Sequence, residues 1–225
     1  MLFAKAPRLH EVKTRLEPVL TAGQALWLHE AMLHDQLVFV NGLLGPGRSC
    51  ELCLDRVGEP RGELARAMAG MSRTLQGEGD LGARLHRALT RAFDDGAARV
   101  AVLGSDAPTL PRSLVEDALT RLRGGADAVV IPALDGGYVL VGASHPVPAL
   151  FAGVPWGTSS VLDVTRRIAV ASGLVLALTA PWPDVDVASD LARLRADLAA
   201  DPARAPETAV VLTRLGLYSP QNPVV

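Results

Sequence analysis

Four stretches of the chain gather residue types that could do chemistry. The first, Lys5-Ala6-Pro7-Arg8-Leu9-His10-Glu11-Val12-Lys13-Thr14-Arg15-Leu16, carries four cations within eleven residues. Ammonium and guanidinium groups spaced like this can neutralise a phosphate chain through charge-assisted hydrogen bonds. An ordinary solvated loop reads the same way, with Glu11 and Glu17 balancing the charge. It is not a Walker loop, because the G-x-x-x-x-G-K-[S/T] pattern is missing. In the second stretch, Gly104-Ser105-Asp106-Ala107-Pro108, a carboxylate directly follows the apolar run Arg99-Val100-Ala101-Val102-Leu103. A hard cation such as Mg²⁺ or Mn²⁺ takes carboxylate oxygens together with substrate phosphate oxygens, which makes Asp106 a candidate metal ligand. A helix cap is the competing role, weakened by Pro111, which suits a helix start several residues later.

The third stretch is Asp184-Val185-Asp186-Val187-Ala188-Ser189-Asp190-Leu191. In extended backbone Asp184 and Asp186 share a face, so one of them could complete a metal site with Asp106. Asp190 would fall in a first helical turn, where the dipole favours an acid. A plain acid-rich helix start is the rival reading. The fourth stretch is the glycine-rich loop Gln76-Gly77-Glu78-Gly79-Asp80-Leu81-Gly82. Cys50-Glu51-Leu52-Cys53 is formally a C-x-x-C, but no second Cys/His pair completes a zinc site and no helix start follows to lower a thiol pKa. It reads as a short strand, Ser49 to Leu54, in which cysteine serves as a small hydrophobe.

Elements of alternating type must position these stretches. Leu2-Phe3-Ala4 opens as a brief strand. Thr21 can cap a helix with Ala25, Leu28, Met32 and Leu37 on its apolar face. Arg61 to Ala69 reads as a short helix. Leu85, Ala88, Leu89, Ala92 and Phe93 define another helix, followed by the strand at Val100. Leu114, Val115, Ala118, Leu119 and Leu122 face inward from the next helix, ended by Gly124 or Gly125. Ala128-Val129-Val130-Ile131 and Tyr138-Val139-Leu140-Val141 read as a hairpin about Asp135-Gly136-Gly137. A helix from about Ser160 to Ala171, a strand at Leu174 to Leu178, and helices at Ser189 to Ala199 and Thr208 to Leu215 complete the series. Such alternation implies an α/β fold, a single domain with a mostly parallel central sheet and helices on both faces. Ligands of such sheets bind beyond the carboxyl ends of the strands. The loops after Ala4, Leu103 and Leu178 are therefore expected to meet as one site. Residues 1–200 are assigned to that domain, and residues 201–225 to a C-terminal helix and loose tail.

Of the 225 residues, 49% are hydrophobic and 20% charged, enough for a sizeable core, and the net charge is −2. That balance argues against a nucleic-acid partner, whose phosphates need surplus cations, and 4% aromatic residues leave few stacking platforms. No apolar stretch reaches the roughly 20 residues that span a bilayer. A secretory signal pattern is missing too, so no membrane partner and a cytoplasmic location are expected.

The ordered motifs K-x-P-x-x-x-x-V-K-T-R-L, Q-G-x-G-x-L-G, G-S-D-x-P-x-L, D-G-G-Y-x-L-x-G, P-W-x-T-x-x-V-L-x-x-T and D-V-D-x-x-x-D-L run from Leu2 to about Leu191. Together they resemble bacterial proteins of the glycosyltransferase-A fold, the nucleotide-diphospho-sugar transferases. The nearest branch is that of arsenosugar-biosynthesis-type glycosyltransferases, with the guanylyltransferases for the molybdenum cofactor and for phospholactate more distant. The resemblance implies a Rossmann-like fold and phosphate contacts from Lys5, Lys13 and Arg15. It places Gln76 and Gly77 near the base or ribose, and Asp135, Gly136, Gly137, Tyr138, Trp156 and Thr158 on the acceptor side. Metal ligation by Asp106 and Asp186 would complete the site, with Lys13 and Asp106 as the catalytic residues. One departure stands out: the family usually has glycine where this chain has His10.

The activity this implies is metal-dependent glycosyl transfer from a nucleoside diphosphate sugar to a small-molecule acceptor, with Mg²⁺ or Mn²⁺ as cofactor. Nucleotidyl transfer to a phosphorylated acceptor is the alternative, disfavoured by the missing G-G-x-S-x-R-[F/M] signature. A non-catalytic nucleotide-binding protein of the same fold is the third reading, and a homodimer is compatible with all three. Loss of Asp106 is expected to be mild for stability, because a lone carboxylate at a strand end adds little packing, and in a cluster of acids its removal can even relieve repulsion.

Overall fold

Strand Leu2–Ala4 (β1) pairs in parallel with Glu51–Leu54 (β2), placing Leu2 opposite Leu52, Phe3 opposite Cys53 and Ala4 opposite Leu54. These six side chains are all buried, which is why a run as short as Leu-Phe-Ala holds as a strand. The computed structural model describes residues 1–58 and 62–219. The sheet that β1 and β2 belong to has seven strands in the order Ser72–Leu75 (β3), β2, β1, Val100–Gly104 (β4), Tyr138–Ala143 (β6), Ala128–Pro132 (β5) and Leu176–Leu178 (β7), and the α/β architecture is as the alternation predicts. The chain divides into two compact units. One holds the described residues of Leu2–Thr74, Ser105–Leu110 and Pro183–Val225. The other holds Met1, Leu75–Gly104 and Pro111–Trp182.

In the first unit the long helix Ala22–Gly42 (α1) starts on Thr21. Its hydroxyl accepts from the Gln24 N–H while the Gln24 side chain accepts from the Thr21 N–H, a reciprocal capping box. Ala25, Leu28, Met32 and Leu37 are buried as their spacing predicts. Gly62–Ala67 (α2) is the short second helix, and the Arg61 at which the sequence begins it lies outside the described residues. Asp190–Ala200 (α6) and Pro206–Arg214 (α7) follow later in the chain. Leu16, Leu20, Leu28, Met32, Val185, Leu191, Leu194, Leu198 and Leu212 form the core of this unit. Each such buried leucine contributes about 1.5–3 kcal/mol. Strand Ser72–Leu75 (β3) was not legible in the sequence: Ser72, Arg73 and Leu75 are exposed and carry no apolar alternation. Of the C-terminal tail, residues 220–225 lie outside the described residues.

The second unit contains Leu81–Asp94 (α3), Val100–Gly104 (β4), Arg112–Arg123 (α4), Ala128–Pro132 (β5), Tyr138–Ala143 (β6), Val161–Ala171 (α5) and Leu176–Leu178 (β7). β6 runs antiparallel to both β4 and β5, and β5 runs parallel to β7. Three of these four strands therefore share one direction, and β6 is the reversed strand set between β4 and β5 by the predicted hairpin. All of β5 is buried, as its unbroken apolar run requires. α4 begins one residue after Pro111, which sits at the cap rather than inside the first turn. β7 is shorter than its apolar run suggests and only half-buried.

Candidate active site

Buried apolar residues fix the position of the charged ones. Val12 and Leu16 are 2% and 0% exposed and bracket Lys13, Thr14 and Arg15. Further along, Val185 is 3% exposed and separates Asp184 from Asp186. The chain turns into a single 3-10 turn at Thr14–Leu16 through Lys13, whose backbone is left-handed with φ 51° and ψ 31°. Other ties hold the loop: Ala6 N–H donates to Asp55 Oδ1 at 2.7 Å, and Arg56 pairs with Glu11 at 2.8 Å.

The segments carrying Asp106 and Asp186 are laced together, since Val185 N–H donates to the Asp106 carbonyl at 2.8 Å. Onto this seam comes the Lys13 ammonium. It donates to Asp106 Oδ1 at 2.5 Å and to the Val185 carbonyl at 2.6 Å, and its side chain is only 4% exposed. Arg15 pairs with Asp186 Oδ2. Asp190 holds the turn from below, its Oδ2 accepting from the N–H groups of Asp186 and Val187 at 2.9 and 2.8 Å. Asp190 is thus a backbone clamp as well as a first-turn acid. His29, buried on α1, lies 3.0 Å through Nε2 from the Lys5 carbonyl, so the neutral ring donates there and fixes the start of the loop.

Electrostatics follow from this packing. Desolvation alone would raise the Asp106 carboxyl, but the charge and hydrogen bond of Lys13, with weaker help from His29 and Lys5, outweigh it and hold the group below the usual carboxylate range. Burial pushes His29 the other way, below its usual imidazole value, with Lys13 and Lys5 adding to the effect against the pull of Asp106. The expectation that Asp106 stands among repelling acids is therefore wrong. It is the acceptor of a buried ammonium. Lys5, Lys13, Arg15, Asp106 and Asp186 do come together in one unit, as the loops after Ala4, Leu103 and Leu178 were expected to do. Lys5 keeps an exposed side chain with no hydrogen bond or ion pair among the described residues.

The other predicted residues lie in the second unit. Gln76 is buried, and Gly77 takes φ +77°. Two arginines of α3 that sequence reasoning passed over clasp this loop by its carbonyls: Arg87 donates to Gln76 O and, at 3.0 Å, to Glu78 O, and Arg84 donates to Gly79 O at 2.9 Å. A side chain at Gly77 would meet the Arg87 guanidinium at 2.6 Å. Their helical spacing with Asp80, which caps α3 through Ala83 N–H, was the signal available. Asp135 accepts from Gly137 N–H at 2.8 Å. Gly136, at φ +94°, lies so close to Ser159 that a Cβ would fall 2.0 Å from its carbonyl oxygen, and the Gly136 carbonyl accepts from Leu162 N–H at 2.8 Å. This turn and the start of α5 are thereby one piece. Tyr138 and Trp156 meet edge to face at 6.0 Å, while Thr158 donates to Pro155 O at 2.8 Å. Burial raises the Tyr138 phenol, and the buried Trp156 indole N–H has no hydrogen-bond partner among the described residues.

Residues 46–158 match the model of a family described as uncharacterized proteins conserved in bacteria, DUF2064. The chain belongs to the DUF2064 family. The match covers the loop at Gln76, the Asp106 segment, the Asp135–Tyr138 turn and Trp156–Thr158. A solved structure from Desulfovibrio desulfuricans G20, provisionally named a nucleotide-diphospho-sugar transferase, is 32% identical. The alignment covers 96% of this chain and 94% of that one with a TM-score of 0.82. Two more remote structures share the fold alone. One is a CMP:2-keto-3-deoxy-manno-octonic acid synthetase in complex with CTP (13% identity, 89% and 98% covered, TM-score 0.51). The other is a cytidylyltransferase from Leptospira borgpetersenii serovar Hardjo-bovis (10% identity, 100% and 98% covered, TM-score 0.51). No curated protein matches this DUF2064 chain. The findings reach the nucleotide-diphospho-sugar transferase fold, not the arsenosugar branch within it.

Proposed function

We propose that the chain is a transferase using a nucleotide donor, and that the reaction is glycosyl transfer from a nucleoside diphosphate sugar to a small-molecule acceptor. The observation that carries this reading is the convergence of Lys13, Arg15, Asp106 and Asp186 on one seam, with Lys5 exposed beside it. Three cations on one short loop can donate to the oxygens of a diphosphate, and a relative 32% identical bears a nucleotide-diphospho-sugar transferase name. An acceptor of the arsenosugar-biosynthesis type is one member of the class this would serve.

The donor set fits a hard divalent cation. Asp106 and Asp186 each use one oxygen for a cationic partner, and among the described residues the other makes no hydrogen bond. Among the described residues no three His, Cys, Asp or Glu side chains gather as a metal site by themselves, so phosphate oxygens and water would complete the shell. Mg²⁺ or Mn²⁺ bound there supplies charge stabilisation for the leaving diphosphate. Asp106 and Asp186 hold that cation; Lys13 and Arg15 donate to phosphate oxygens as negative charge develops on them. Lys13 is the better placed of the two, because its low exposure keeps its charge from being screened by water.

The products decide between transfer chemistries. Incubation with Mn²⁺ and a panel of sugar nucleotides should release free nucleoside diphosphate. Release of pyrophosphate from nucleoside triphosphates instead would overturn glycosyl transfer in favour of nucleotidyl transfer.

A further inference from the structure

At the seam between Asp106 and Val185, a cation is already resident. The Lys13 ammonium takes two oxygens there, at 2.5 Å from Asp106 and 2.6 Å from the Val185 carbonyl. Both are oxygen ligands of the kind a divalent metal takes. Arg15 likewise neutralises Asp186, so in the ligand-free chain two acids are matched by two bases.

A dication on Asp106 and an ammonium on the same carboxylate repel one another, so the resident Lys13 weakens the hold of Asp106 on a metal even where the second oxygen is open. Departure of Lys13 from Asp106 would therefore strengthen metal binding there. An ammonium on a side chain 4% exposed cannot be left without an anion, because a buried unpaired charge is costly. It departs only when another anion receives it, and a ligand phosphate is that anion.

We propose that Lys13 is a resident counter-cation whose transfer from Asp106 to a ligand phosphate admits the divalent metal, so that metal and phosphate bind cooperatively. This rests on the nucleotide site proposed above. By linkage the coupling is reciprocal: the metal tightens the phosphate ligand by the same factor as the ligand tightens the metal.

Calorimetric titration of Mn²⁺ alone into the full chain, Lys13→Gln and Lys13→Met tests it. Gln keeps a donor for Val185 O and Met does not, but both remove the charge. Each variant should bind Mn²⁺ about tenfold more tightly than the unsubstituted chain. Adding Asp106→Asn to Lys13→Gln should abolish that gain. Thermal melts establish which variants are folded, and if Lys13→Met is not, Lys13→Gln decides. Unchanged or weaker Mn²⁺ binding in the folded variants, including no binding at all, would overturn the exchange. A separate thermal-shift panel of nucleoside diphosphates reads the nucleotide site itself. No shift there would defeat the proposed function while the Mn²⁺ comparison still stands.

Discussion

His10 and Lys13 are the two non-glycine residues with left-handed backbone among those described, at φ 61° and 51°. Both fall in the cationic loop. A side chain in that conformation costs roughly 1–2 kcal/mol, a strain that the glycine implied by the family resemblance at the His10 position would avoid. The His10 side chain is 70% exposed, with Glu17 at 3.9 Å, so its replacement disturbs little packing. Glycine there would relieve the strain but adds roughly 0.5–1 kcal/mol of unfolded-state entropy. His10→Gly should therefore leave stability unchanged or raised by under about 1 kcal/mol, whereas the β-branched His10→Val should lower it by about 1 kcal/mol or more. Thermal denaturation of both variants checks this, and a His10→Val protein as stable as the parent would deny the left-handed turn. His29 supplies a pH dependence. Its folded pKa lies below the unfolded value of about 6.5, so below that pH the unfolded chain takes up a proton that the folded one refuses. Stability should fall as the pH drops from about 6.5 toward the folded pKa, by at most about 1.4 kcal/mol per pH unit. Melting temperatures of His29→Gln, which keeps a donor for the Lys5 carbonyl, should lack that slope; an identical slope would assign it to other groups.

Among the elements, α7 depends on a residue far from it in sequence. Asp35 of α1, 3% exposed, accepts from the N–H groups of Glu207 and Thr208 at 3.1 and 2.8 Å and from the Thr208 hydroxyl at 2.7 Å. This is a cap supplied across the core instead of from Ala205, the residue at the cap position. Burial pushes the Asp35 carboxyl up, against the pull of those donors. Asp35→Ala would strand three donors and should cost about 2 kcal/mol, measurable by urea denaturation. A loss under about 0.5 kcal/mol would show that α7 is held by its apolar face alone. Sequence reading found α7 but not this support, because a side chain capping a helix some 170 residues away leaves no local pattern. β3 escaped for the opposite reason: it has a local pattern, but a polar one with no buried face to betray a strand. The hairpin of β5 and β6 was legible because Asp135-Gly136-Gly137 combines an acid that bonds its own turn with a glycine at φ +94°.

For the whole molecule, the α/β class and the alternation of elements could be read from apolar periodicity, and the motif order carried the family. Asp106, Asp186 and the cationic loop were legible as candidates because each interrupts an apolar context with charge. Their pairing was not. Spacing along the chain says nothing of an ammonium reaching from Lys13 to a carboxylate 93 residues on, and it led to an expectation of repulsion where the structure has an ion pair. The consequence is that Asp106→Ala should destabilise the fold, since it leaves the Lys13 ammonium with only the Val185 carbonyl. Asp106→Asn removes the charge a metal needs but keeps a hydrogen-bond acceptor for Lys13, so it should destabilise the fold less than Asp106→Ala does. The decisive measurement is calorimetric titration of a sugar nucleotide with Mn²⁺ into the parent and Asp106→Asn. The account predicts tight binding to the parent and affinity lowered roughly 30-fold or more in the variant, measured below the variant's melting temperature, which should be lowered but by less than that of Asp106→Ala. Undiminished binding in a folded Asp106→Asn would contradict it.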